Sequence, residues 1–122
     1  MLNHVRVPEL IRTVTASQDL SLGALNYTTS IDLPFQLEQI LVHSDTGITE
    51  VFNATFDSEN GANYDVKLGA MDFDGLQDIA LVGGENLVRA LCSQVDQIRL
   101  TTDGNASSGT IYITIKYKLK LQ

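Results

Sequence analysis

Asp45-Thr46-Gly47 is the sharpest short motif in the chain. An aspartate, a hydroxyl and a glycine in a tight loop can serve acid–base hydrolysis, but the same residues build ordinary turns. His43, Ser44 and Asp45 supply the three side-chain types of a nucleophilic relay. They are consecutive, so on a strand they alternate in direction and cannot form one. His4 and His43 are the only histidines, too few for a histidine-rich zinc site, and Cys92 is the only cysteine. An intramolecular disulfide and a cysteine-only zinc site are therefore excluded, and Cys92 reads as a small core residue. Asp72-Phe73-Asp74-Gly75 and the stretch from Asp57 to Gly61 carry acids suited to Ca²⁺. Neither has the following Glu of a twelve-residue calcium loop, and hairpin turns use the same residue types. Gly83 and Gly84 are not followed by the lysine and serine of a phosphate loop. No cofactor and no metal are expected.

Lys116, Lys118 and Lys120 alternate along the last strand-like stretch of an otherwise acidic protein. The net charge is −7, with residues 1–31 neutral, residues 32–108 at −10 and residues 109–122 at +3. A surface of that sign argues against nucleic acid as a partner. No apolar run approaches the ~20 residues of a membrane-spanning helix, and no signal-peptide core is evident at the start. Three Asn-x-Ser/Thr sequons, at Asn26, Asn53 and Asn105, are accounted for by an Asn-, Ser- and Thr-rich composition. The lysine row has two readings. It keeps a wet face soluble, discourages edge pairing and meets acids on a neighbouring strand, or it docks on an acidic surface of another chain.

The elements that position these residues are strands. Turn signals recur at short intervals, at 44–47, 59–63, 72–75, 83–86 and 103–109, between runs rich in Val, Ile, Leu, Thr, Phe and Tyr. The pattern predicts an all-β antiparallel sandwich, jelly-roll-like, of one domain. Asn60-Gly61 predicts a type I′ hairpin joining a strand near 50–57 to one near 64–70. Phe52, Ala54 and Phe56 share one face, as do Tyr64, Val66, Leu68 and Ala70, and as do Ile98 and Leu100. Ile111, Ile113, Ile115, Tyr117, Leu119 and Leu121 form an apolar row opposite Thr110, Tyr112, Thr114 and the three lysines. Residues 1–33 lack hairpin punctuation. They read as an extended arm with the first strand or strands, and residues 34–122 as the sandwich core. Val5, Val7, Leu10 and Ile11 are the arm's candidate contacts with another chain, unless the segment pairs within the sandwich as an ordinary first strand.

Two resemblances bear on function. The Asp45-Thr46-Gly47 triplet resembles that of retroviral-type aspartic proteases, small all-β homodimers in which two aspartates face each other and activate water. His43 and Ser44 stand where that family has an apolar strand, and the interval to Gly83-Gly84 is short for its flap. The second resemblance rests on Leu33 to His43, Ala54 to Phe73, Gly84 to Thr102 and Gly109 to Lys118. Their order of apolar strand, long hairpin, Gly-Glu-Asn turn and closing strand is similar to small β-sandwich virion proteins of tailed bacteriophages. That likeness implies a non-enzymatic capsid decoration (cement) or head–tail accessory subunit located in the virion. It implies binding to the major capsid protein, another virion protein or further copies, with a homo-oligomer, a trimer above all. Lys116, Lys118 and Lys120 are then the candidate docking residues. The protease stands as the alternative.

Overall fold

Alternating apolar and polar residues fold into nine strands among the described residues. These are β1 (Ile11–Asp19), β2 (Asn26–Thr28), β3 (Phe35–Ser44), β4 (Val51–Asp57), β5 (Val66–Asp72), β6 (Asp78–Val82), β7 (Leu91–Cys92), β8 (Gln97–Thr102) and β9 (Thr110–Leu119). The computed structural model describes residues 11–29, 31, 33–82, 91–92 and 96–119. Two sheets result, in the orders β1-β9-β3-β6 and β2-β8-β4-β5, and β7 pairs with β3. Every described pairing is antiparallel. Leaving β7 aside, the chain changes sheet at each connection except β4–β5. That path is the jelly-roll arrangement, which places two four-stranded sheets face to face.

The inner faces carry the core. Phe35, Leu37, Ile40, Phe52, Phe73, Ile98, Leu100, Ile111 and Ile115 are fully buried, and Phe35 meets Tyr117 edge-on with centroids 5.6 Å apart. Each buried Ile or Leu contributes about 2 kcal/mol of transfer free energy. Leu20 and Leu25, from the crossover between β1 and β2, join the same core. The alternation in β3 breaks at Glu38, where the register with β9 shifts between Leu37 and Gln39. This β-bulge keeps Phe35 and Leu37 inside and then Ile40 and Val42 inside, although the spacing between the two pairs is odd.

Two expectations change. The β4–β5 hairpin exists, but Asn60-Gly61 is not a two-residue turn. Residues 58–65 form a longer loop with a 3₁₀ turn at Ala62–Tyr64, and positive φ falls at Glu59 and Gly61. Asp65 Oδ1 accepts from Ser58 N at 3.2 Å, and Arg99 bonds Asp57 at 2.9 Å and Asp65 at 3.4 Å. Side chains thus close a loop that turn residues alone were expected to close, and Tyr64 is left exposed. The lysine strand is also not an edge. β9 pairs with β1 along one side and with β3 along the other, so edge protection does not explain its lysines.

One end of the sandwich is fastened by a buried acid. Glu50, fully buried, accepts from Val51 N and Asp103 N at 3.0 Å through Oε1 and from Ala106 N at 2.9 Å through Oε2. Its own carbonyl accepts from Phe73 N at 2.9 Å. One residue therefore ties the start of β4 to the β5–β6 and β8–β9 crossovers. Glu50→Ala would remove the acceptor of the partly buried Val51 and Ala106 N–H groups, leave Asp103 N only its 3.3 Å bond to Val51 O, and should cost roughly 2–4 kcal/mol. Glu50→Gln keeps one oxygen and should lose less, a ranking that urea denaturation would check.

Candidate functional site

The outer face of the first sheet collects the side chains that the fold leaves available. Strand register puts Ser17, Tyr112, His43 and Asp78 in one cross-strand row, and Thr15, Thr114, Leu41 and Ala80 in the next. Thr13, Lys116 and Gln39 follow, and then Ile11, Lys118 and Gln36. Ile11 and the lysines, far apart in sequence, are therefore neighbours: Ile11 stands opposite Lys118, and it is 49% exposed. Lys120, Val5, Val7 and Leu10 lie outside the described residues.

Two polar centres occupy this face. His43 Nδ1 donates to Asp78 Oδ1 at 2.7 Å, and the His43 ring lies beside Tyr112 with centroids 6.3 Å apart and planes 28° from parallel. Together with Leu41, Ala80 and Thr114 they line an open groove of about 400 Å³. At the other centre the β-bulge aims Glu38 along the sheet. It accepts from Gln36 Nε2 at 2.7 Å and lies 3.6 Å from Lys118 Nζ. The bulged acid thus meets the lysine row in cis, the pairing that a cross-strand acid was expected to provide.

The residues with catalytic types serve the fold. Asp45 begins the crossover from β3 to β4, not a hairpin. Its Oδ1 accepts from Thr110 N at 2.9 Å, and its N–H donates to Thr110 O at 3.0 Å. Gly47 is required for close approach, because a Cβ there would lie 2.4 Å from the carbonyl oxygen of Gly75. Ser44 is buried, with its N–H on Gln77 O. Asp45 and Gly47 of the triplet therefore serve the fold. Of the acidic turns, Asp72 Oδ1 accepts from Asp74 N, and Asp57 is bonded to Glu59 N and Arg99. Among the described residues no group of three His, Cys, Asp or Glu is placed to hold a metal ion, and no helix is long and apolar enough to cross a membrane.

The His43–Asp78–Tyr112 row and Glu50 were not visible in the sequence. His43 and Asp78 are 35 residues apart, Tyr112 lies on a third strand, and Glu50 sits in a crossover, so only register brings these groups to their partners. Alternation within β3 and β9 was the available signal, since it places His43 and Tyr112 on outward positions.

No protein-family model matches the chain, and no curated protein matches it. Among solved structures, the crystal structure of a Yersinia pseudotuberculosis-derived mitogen is similar at a TM-score of 0.45 and 12% identity, over 94% of this chain and 90% of that one. At that distance the likeness assigns neither family nor function to this chain.

Two substitutions check the structural roles. Asp45→Asn retains the oxygen that Thr110 N uses and should change stability by less than about 0.5 kcal/mol, whereas Asp45→Ala should cost about 1 kcal/mol. Loss of a peptidase activity on Asp45→Asn would restore the protease. Burial, with a smaller effect of Asp96, pushes the Cys92 thiol up to about 12. Iodoacetamide at pH 8 should leave native Cys92 unmodified and alkylate it in denaturant. The shift favours folding below pH 9.0, and that contribution is lost as pH rises toward 12.

Proposed function

We propose that the chain is a non-enzymatic structural subunit of a tailed-phage virion, a capsid decoration or head–tail accessory protein, which attaches through the outer face of its first sheet. The observation that carries the reading is the contiguity of Ile11, Lys116 and Lys118 on that face. An exposed aliphatic beside a basic row suits a broad protein surface with acids on it. The fold adds support, because jelly rolls are common as capsid building blocks. The major capsid protein is the partner this reading favours. The protease alternative gains nothing from the geometry, since Asp45 is engaged by the backbone of Thr110.

The test has two stages. The chain should co-sediment with assembled particles from the producing culture, and its absence from them would overturn the virion assignment. In reconstitution, changing Lys116, Lys118 and Lys120 together to Glu should weaken attachment at least tenfold, about 1.4 kcal/mol. Changing them together to Gln should weaken it less. Wild-type attachment should itself fall with added salt. Attachment of the Glu variant at wild-type strength in low salt, with an unchanged melt, would remove the lysines from the interface.

A further inference from the structure

We infer that β1 is a self-pairing edge, and that two copies of this chain join antiparallel along β1 to make one continuous sheet across a two-fold axis. The first sheet ends on β1, whose other side faces no described strand. Exposed edges are normally blunted by shortness, bulges, lysines or proline. The remaining edges have such features: β2 is three residues long, β5 is irregular where it meets β4 between Ala54 and Thr55 and carries Lys67, and β6 is five residues and begins on Asp78. β1 is long and regular, and its two charges, Arg12 and Asp19, stand near its ends. It runs nine residues, Ile-Arg-Thr-Val-Thr-Ala-Ser-Gln-Asp, with no proline and no lysine, paired to β9 without a break in register.

The same sequence favours a second copy as occupant. A two-fold axis perpendicular to the sheet keeps outward residues outward, so odd positions pair with odd positions. Full overlap then sets Thr15 against Thr15, Thr13 against Ser17, Val14 against Ala16 and Ile11 against Asp19. Threonine and serine hydroxyls face each other on the outer side, a favourable cross-strand combination. Arg12 of each copy faces the neutral Gln18 of the other, and Asp19 faces Ile11, so no like charges meet along the seam. β1 carries one base and one acid, so it is locally neutral in a protein of net charge −7. The seam itself therefore adds no net charge repulsion where two acidic copies meet. The result is a dimer, in place of the trimer that the family resemblance implies, and it does not depend on the virion reading.

Sedimentation equilibrium of the full chain, from micromolar to millimolar, tests the pairing. A monomer–dimer equilibrium is expected, and it should strengthen with added salt because salt screens the net charge. That trend is opposite to the one for docking by the lysine row, so the two proposals fail separately. Thr15→Lys with Ser17→Lys, whose β9 partners Thr114 and Tyr112 are uncharged, should abolish the dimer and leave the melt unchanged. Thr15→Cys should give an intermolecular disulfide on mild oxidation, with buried Cys92 silent. That second variant keeps the test decisive if the lysines disturb folding. A strict monomer, a trimer, a dimer insensitive to the lysine pair, or a Thr15→Cys chain that does not cross-link would each overturn the inference.

Discussion

The two-sided pairing of β9 is the constraint from which the other features follow. A strand hydrogen-bonded on both sides has its backbone satisfied, so only its side chains can vary in role. Its inward row, Ile111, Ile113, Ile115 and Tyr117, fills the core against Phe35, Ile40 and the opposite sheet. Its outward row must then tolerate a flat, solvated position between two neighbours. Lysines and threonines do so, because a lysine stem covers apolar surface while its ammonium stays in water. The same pairing leaves β1 with one partner strand among the described residues. The lysine row and the β1 edge thus share a cause in the placement of the last strand inside the sheet.

Crossing between sheets at almost every connection has a cost, because each crossover carries backbone groups that no ladder satisfies. At the end that holds Asp45 these groups are satisfied by a few side chains and by one another. Glu50 takes three N–H groups, Asp45 takes Thr110 N, Thr102 Oγ1 takes Leu25 N, and Gly75 N donates to Ile48 O. Residues that look catalytic in the sequence concentrate there for that reason. Aspartate, serine and threonine are the acceptors that crossover loops need.

Period-two alternation made the strands legible, and the depth of β8 and β9 in the core agrees with it. Fold class followed from strands and turn spacing alone. What alternation could not supply was neighbourhood. Strand order depends on which segments cross between sheets, and a turn such as Asp45-Thr46-Gly47 looks the same in a hairpin and in a crossover. The bulge at Glu38 shows the limit at one residue. The run Phe-Gln-Leu-Glu-Gln-Ile-Leu-Val reads as imperfect alternation, and only the partner strand shows that the imperfection is an inserted position that aims an acid at Lys118. The candidate site was therefore legible as a set of outward residues but not as a surface. The meeting of Ile11 with Lys118 required the β1–β9 register.

Sheet geometry also constrains what such a surface can recognise. Outward side chains repeat about every 6.5–7 Å along a strand and about every 4.8 Å across strands. A small ligand binds tightly when a concave site removes most of its surface from water. The groove at His43, Asp78 and Tyr112 is open, with side-chain exposures of 55% for His43 and 76% for Asp78. A ligand seated there would keep much of its hydration and gain few simultaneous contacts. A broad partner can engage several cross-strand rows at once, and each weak contact then adds to the others without further loss of overall freedom. The openness of the groove and the spacing of Lys116 and Lys118 are the features on which the proposed docking to an extended macromolecular surface rests.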